Sequence, residues 1–316
     1  MPAKENFALV EVDVPALADG EVLVRNTHMS VDPYMRGRMN AGPSYAAPFE
    51  VGEVMYGGAV GVVEQSRDAS LPVGTHVLSN LGWREYAGAP AKTLRKVDTS
   101  IAPAPAYLGV LGMPAFTAWV GLFVIDDVKA GEIVLISSAA GAVGSVAGQL
   151  AKRRGAHVIG TTRSQENADI LREKLHFDEV IVLREGEIAA QLHAAAPDGI
   201  DFFFENVGGE LLEAALTSLR SFGRISVCGM IANYNHPVPG PRNLYLVTPK
   251  RLKMQGFIVS DHNKRFEDFV CDVAPAVASG EITGLETIVN GLENAPDALL
   301  SLFAPGAHVG KLIVTI

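Results

Sequence analysis

Between Phe7 and about Ala89, apolar residues come in short or alternating runs: "FALVEVDVP", "EVLVRNTHMS", "GAVGVVEQS" and "THVLSNLGWREYA". Each run is cut off by Gly, Pro or Asp. Alternation of this kind between turn residues predicts an antiparallel β domain. Near Ala102 the rhythm changes, where "APAPAYLGVLGMPAFTAWVGLF" is punctuated by proline and then becomes helical, bridging into a second unit. From about Glu132 to Gly229, near-continuous apolar runs ("EIVLISS", "HVIGTT", "EVIVL", "IDFFFEN", "RISVCG") alternate with helical stretches such as "GSVAGQLAKRRG" and "GELLEAALTSLRSFG". Strands apolar on both faces, separated by helices, imply a parallel sheet covered on both sides. "KRLKMQGFIVS" predicts a last strand of that sheet, two helical segments follow, and "GKLIVTI" is expected to return to the β domain. The fold class is α/β, a doubly wound parallel sheet joined to an antiparallel β domain.

Composition narrows the function more than the fold. A chain of 316 residues exceeds a typical single domain, which agrees with two units. The net charge of −9 disfavours nucleic acid and anionic membrane as partners. No apolar run approaches the roughly 18 residues a membrane span needs. The opening "MPAKENFALVEV" shows no basic segment followed by an apolar run, so no secretory signal and a cytoplasmic location are expected. Cys228 and Cys271 lie far apart in a strand-like and a helical context, and the eight histidines form no HxxxH pair. Both cysteines read as small buried hydrophobes, and no metal site is expected.

The stretch "SSAAGAVGSVAGQLAKRRG" (Ser137–Gly155) follows a predicted strand and opens a predicted helix. Its A-x-G-x-x-G spacing falls on Ala139, Gly141 and Gly144, with Ala142 and Val143 completing the loop. Gly141 would let backbone approach a pyrophosphate, and Gly144 would let helix pack on strand. The helix start offers free N–H groups and a positive dipole end. In strand–loop–helix–strand context this reads as a dinucleotide site. An NAD site expects an acid at the end of the next strand, but "HVIGTTRSQEN" places Thr161, Thr162, Arg163 and Ser164 there. Hydroxyls and a guanidinium suit a 2′-phosphate, so NADP(H) is the expected cofactor; the alternative is a solvated surface arginine.

A β domain, a nucleotide domain and a return strand, with "SVDPYMRGRM", "LGMPAFTAWVGL", "FFFENVGG", "KRLKMQGFIVSD" and "GKLIVTI", resemble the medium-chain dehydrogenase/reductase superfamily. The resemblance covers essentially the whole chain. Within the superfamily it is to the zinc-independent leukotriene dehydrogenase, prostaglandin reductase and alkenal double-bond reductase group. It implies a GroES-like substrate domain (1–112 with 285–316), a Rossmann-type NADP-binding domain (113–284), and a homodimer paired through the edge strand Lys253–Ser260. It also implies NADPH-dependent reduction of the C=C bond of α,β-unsaturated aldehydes and ketones. Hydride addition to the β-carbon builds an enolate, whose oxygen charge hydrogen-bond donors can stabilise in place of zinc. Tyrosine is such a donor at neutral pH.

The resemblance places Tyr34 and Tyr56 in the pocket, where each could equally be a packing residue. It places Tyr234 beside the cofactor. Further cofactor contacts map onto Thr117, Asn206, Val207, Cys228, Gly229, Phe257, Ile258 and Val259. Asn206 has the alternative role of a turn-former before two glycines. Four departures stand out. The family's lysine and tyrosine for the 2′-phosphate fall at Asn167 and Leu183, leaving Arg163, with Arg184, to carry NADP preference. A catalytic tyrosine falls at Pro249, with Tyr245 four residues upstream. "G-x-N-x-G-K" reads "GAHVGK", with His308 for the asparagine. The segment usually preceding "FALVEVDVP" is missing, which implies a truncated or naturally short start. The competing readings are a quinone reductase of the same superfamily and an NADPH-binding protein with vestigial catalysis.

Overall fold

The computed structural model describes residues 1–42, 44–304 and 308–316. Five strands come first: β1 (Glu21–Ser30), β2 (Ala59–Ser66), β3 (His76–Ser79), β4 (Tyr86–Pro90) and β5 (Arg95–Lys96), with the one-turn helix α1 (Tyr34–Gly37) after β1. Helix α2 (Met113–Phe123) opens the alternating part. It continues β6 (Ile133–Ile136), α3 (Gly144–Arg153), β7 (His157–Thr162), α4 (Gln165–Glu173), β8 (Glu179–Val182) and α5 (Ile188–Ala195). Then follow β9 (Ile200–Glu205), α6 (Gly209–Ser218), β10 (Leu219–Val227), the short α7 (Val247–Lys250), β11 (Lys253–Gly256) and α8 (Phe266–Ala278). The chain ends with β12 (Glu286–Asn290), α9 (Ala295–Ser301) and β13 (Lys311–Thr315).

These elements form two compact units. The β unit comprises Met1–Gly112, Glu286–Ala304 and Lys311–Ile316; the α/β unit comprises Met113–Leu285 with the described part of Pro305–Gly310.

In the α/β unit the sheet order is β11-β10-β9-β6-β7-β8, and every pairing is parallel. The chain thus winds outward from β6 through β7 to β8, then restarts at β9 beside β6 and winds the other way. Helices on both faces explain why Phe202, Phe203 and Phe204, consecutive in β9, are all 0% exposed. Phe203 packs with Leu135, Ile159, Leu192, Leu212 and Ile225, each such side chain contributing roughly 1.5–3 kcal/mol on burial. The reversal of direction between β6 and β9 is a topological switch point, where loops diverge and open α/β sheets bind ligands.

In the β unit the order is β12-β13-β1-β2-β3-β5, with β4 pairing the first half of β1. β13 pairs β1 antiparallel over His28–Ser30, so the expected return strand forms. Its core gathers Met29, Val31 and Met35 with Leu299, Leu312 and Val314.

Cys271, expected to be buried, is exposed, and four stretches depart from the sequence reading. β12 was not expected, and it runs parallel to β13, so the sheet is mixed. "FALVEVDVP" alternates but carries no strand, and Leu9, Val10, Val12 and Val14 are exposed, because alternation makes a strand only where an edge receives its hydrogen bonds. The helical reading of "GELLEAALTSLRSFG" fails at Leu219, which is buried and pairs with Ile200. Phe222 then takes φ +66° in an irregularity that lets the chain rejoin the ladder at Arg224. "KMQGFIVS" is a strand only to Gly256; from Val259 the chain coils into a 3-10 helix.

Candidate active site

The glycine-rich loop leaves β6 at the switch point of the parallel sheet. Ser138 turns the chain through the left-handed region, at φ +49°. The Gly141 N–H donates to the Ser138 carbonyl (2.9 Å), and the Ala139 N–H to the Thr161 carbonyl (2.9 Å). A Cβ on Gly144 would lie 2.3 Å from the Ser138 oxygen and 2.8 Å from the Ala139 Cα, both backbone, so only glycine lets α3 start this close to the strand. No side chain caps α3 at Val143, which leaves its first N–H groups for an outside acceptor. Gly141, Ala142 and Val143 are half-buried at the loop's open side. Gly310 closes the far side, its N–H donating to the Ala140 carbonyl (2.7 Å).

Beside the loop, the end of β9 is tied to β6 by a buried polar network that the sequence reading missed. Ser137 Oγ donates to Glu205 Oε1 (2.8 Å) and accepts from the Asn206 N–H (2.6 Å). The Asn206 amide donates to the Ser137 carbonyl (2.8 Å), and the Val207 N–H to Glu205 Oε1 (2.5 Å). Asn206 and Val207 are thereby held at the carboxyl end of β9, in the crevice next to the loop. Glu205 is 0% exposed, and its Oε2 has no hydrogen-bond partner among the described residues. Burial pushes its carboxyl above the usual range, against the pull of the Val207 N–H and Ser137. Cys228, whose N–H donates to the Glu205 carbonyl (2.9 Å), has its thiol pushed up to about 12 by burial and by Glu205, so it is an inert thiol.

The other expected cofactor positions belong to the same α/β unit. Thr162 is buried at the end of β7, its Oγ1 accepting from the Ser164 N–H (3.3 Å). Arg163 is exposed, and among the described residues no acceptor engages its guanidinium. Arg184, by contrast, is paired with Glu187 (3.0 Å). Asn167 is buried and donates to the His308 carbonyl (3.3 Å), while Leu183 packs on the core. Gly306 and Ala307 of "GAHVGK" lie outside the described residues. The Tyr234 hydroxyl stands 3.1 Å from where a Cβ on Gly229 would lie. The Phe257 ring meets Phe204 edge-on at 6.4 Å, with Ile258 and Val259 half-buried after it. Thr117 is buried in α2, and its hydroxyl donates to the Met113 carbonyl (2.8 Å).

The expected tyrosines divide. Tyr34 and Tyr56 come together in the β unit. A Cβ on Gly57 would lie 2.4 Å from Met35 Cε and 3.5 Å from the Tyr34 hydroxyl, so the glycine after Tyr56 is what admits α1. Burial and the Asp32 carboxylate push the Tyr34 phenol well above the usual range, keeping it a protonated donor. The Tyr56 hydroxyl accepts a hydrogen bond from Arg38, a residue the sequence reading passed over although it lies inside "DPYMRGRM". Tyr245 belongs to the α/β unit, on the one-turn 3-10 helix Leu244–Leu246, and is 71% exposed; Pro249 lies in α7. Among the described residues no group of three or more His, Cys, Asp or Glu is placed to hold a metal ion, and no helix is long and apolar enough to cross a membrane.

Comparison with known proteins places this arrangement. Residues 1–97 match the family model described as the N-terminal domain of oxidoreductase, and residues 142–274 that described as zinc-binding dehydrogenase. The chain is 39% identical to the 2-alkenal reductase (NADP(+)-dependent) of Nicotiana tabacum, over 97% of this chain and 90% of that one. It is 38% identical to the NADPH-dependent curcumin reductase of Escherichia coli (strain K12), over 100% and 93%. The crystal structure of CurA in complex with NADPH from Vibrio vulnificus superposes with a TM-score of 0.93 at 40% identity, covering 99% of this chain and 95% of that one. The chain belongs to the medium-chain dehydrogenase/reductase superfamily, in its alkenal double-bond and prostaglandin reductase branch.

Proposed function

We propose that this NADP-dependent reductase saturates the C=C bond of α,β-unsaturated aldehydes and ketones, with tyrosine donors in place of a metal ion. The observation that carries the reading is the pairing of Tyr34 and Tyr56 around Gly57: two phenols gathered in one cluster, one of them pushed up by burial and Asp32. Bound NADPH would supply the hydride that the β-carbon of the substrate accepts, and the resulting enolate would take its α-carbon proton from water. The chain supplies the rest. The uncapped start of α3 and the loop at Gly141–Gly144 receive the pyrophosphate, and Arg163 with Thr162 receives the 2′-phosphate. Asn206 and Val207, fixed by Ser137 and Glu205, line the crevice at the end of β9. Tyr56 donates to the carbonyl oxygen as it gains enolate charge, with Tyr34 as the neighbouring donor. The exposed edge strand β11 supports a homodimer joined edge to edge, which light scattering at micromolar concentration would test.

Tyr56→Phe is expected to lower kcat for an enal by about 10²–10³ while leaving NADPH affinity unchanged. Deuteride from labelled NADPH should appear at the β-carbon. Label at the carbonyl carbon, giving an allylic alcohol, would make the protein a carbonyl reductase. Full activity in Tyr56→Phe together with loss in Tyr245→Phe would move the donor to Tyr245.

A further inference from the structure

The Tyr56 hydroxyl is held by a cation that no carboxylate pairs with among the described residues. Arg38 is 6% exposed, yet among the described residues no carboxylate forms an ion pair with it. Its Nε donates to the Ala47 carbonyl (2.8 Å), and its own carbonyl accepts from the Phe49 N–H (2.7 Å), so the loop folds back over α1. The guanidinium carbon lies 4.3 Å from the centroid of the Phe49 ring and 4.3 Å from that of the Tyr56 ring. The two rings meet edge to face at 5.3 Å. A guanidinium taken out of water is ordinarily paired with a carboxylate, because desolvating the charge is costly. Here two aromatic faces, one carbonyl and one phenol oxygen stand in for that partner.

The direction of the Arg38–Tyr56 bond follows from chemistry alone. A guanidinium has only donors, so the phenol oxygen must accept, and the phenol's own proton must point elsewhere. We propose that Arg38 is a positioning residue for the reaction: it fixes Tyr56 as an obligate donor and places an uncompensated positive charge behind the phenol that meets the developing enolate oxygen. This rests on the role of Tyr56 given above. It adds that the strength of that donor is set by Arg38, through polarisation of the Arg38–Tyr56 hydrogen bond. It also makes the site selective for acceptors that develop charge on oxygen.

The test is a double-mutant cycle on the full chain with two readouts. Arg38→Met should lower kcat for trans-2-hexenal by about 10–100-fold, less than removing the donor outright, with NADPH affinity unchanged. In a Tyr56→Phe background the same substitution should change kcat by less than about twofold, since the group it acts through is gone. The second readout needs no turnover: binding of p-nitrophenolate, an oxyanion probe, in the presence of NADP⁺, followed by its absorbance. Its Kd should rise about tenfold in Arg38→Met, with Arg38→Lys, which keeps the charge but not the fork, in between. Unchanged p-nitrophenolate binding in Arg38→Met, or an equal kcat loss in both backgrounds, overturns the inference. If Arg38→Met melts at a markedly lower temperature, Arg38→Lys carries the cycle, and an equal loss in both backgrounds again overturns it. A wild-type chain that binds p-nitrophenolate through Arg38 but leaves enals untouched would sink the proposed reaction and keep the Arg38 assignment.

Discussion

The two candidate regions are built from different materials. At the end of the parallel sheet, Ser138, Gly141 and Gly144 contribute shape and backbone N–H groups, and the close approach of α3 to the Ser138 carbonyl tolerates no side chain at all. In the β unit the work falls to side chains: Arg38, Phe49 and Tyr56 interlock, and Asp32 lies between Lys311 and Ser30. A backbone-built site is sensitive to added volume and indifferent to charge. A side-chain-built site is sensitive to a lost charge and forgiving of volume. Substitutions of each kind in each place measure how far that contrast holds.

The largest effect is expected where the side-chain region buries a charge. Lys311 is 2% exposed, and its Nζ donates to Asp32 Oδ1 (3.0 Å) and the Val31 carbonyl (2.6 Å). Burial pulls the Lys311 ammonium below its usual range, and Asp32 opposes that pull. Asp32→Asn leaves the ammonium without its counter-charge and should cost ~3–5 kcal/mol in denaturant unfolding. The pair replaced by Met and Leu should recover much of it. A loss below about 1 kcal/mol from Asp32→Asn would mean that charge does not rule this region.

Added volume is the matching insult to the backbone region. Gly144→Val puts a branched Cβ where 2.3 Å separates it from a carbonyl oxygen. NADPH affinity should fall by about 100-fold, or ~2.7 kcal/mol, read by quenching of NADPH fluorescence. Gly144→Ala should already show part of the loss. Affinity within about threefold of wild type in Gly144→Val would mean the loop does not form the cradle.

The same contrast decides what the sequence could show. Parallel strands announce themselves because both faces are apolar, as in "IDFFFEN", and glycine spacing reports a backbone constraint that is local by nature. The α/β class and the winding of the sheet were legible for that reason. Arg38 was not, because its burial depends on Phe49 and Tyr56, eleven and eighteen residues away across an irregular loop, and no periodicity encodes that fold-back. Glu205 was hidden differently: "FFFEN" reads as a strand that ends in a solvated acid, whereas Ser137, 68 residues earlier, draws it inside. β12 escaped because its half-buried residues leave too weak an alternation. "FALVEVDVP" misled because strong alternation came with no neighbouring strand to receive it.

A smaller effect sharpens the comparison within the nucleotide crevice. Arg163 is exposed, and the role proposed for it there is one of charge rather than shape. Arg163→Ala should lower the preference for NADPH over NADH by about 1–2 kcal/mol, with NADH affinity unchanged, in parallel titrations of both cofactors. Equal loss for both would make it a general electrostatic contributor. Unchanged preference would return it to the surface.

The smallest effect tests whether the backbone region is truly indifferent to charge, for Glu205 is a carboxyl buried within it. Because burial raises the folded-state carboxyl above its ordinary 4.5, the folded chain holds the proton at pH values where the unfolded chain has released it. Stability from this group is therefore complete below about pH 4.5 and is lost as pH rises through the raised folded value. Glu205→Gln keeps an oxygen for the Val207 N–H and Ser137 Oγ but cannot titrate. Its melting temperature should thus fall less than that of wild type between acidic and neutral pH, by a few degrees for a chain of this size. Glu205→Ala removes the acceptor of both bonds and should lower the melting temperature at every pH. Parallel curves for wild type and Glu205→Gln would mean the carboxyl is ionised in the fold, and a backbone cradle would then hold a buried negative charge beside the place proposed for a pyrophosphate.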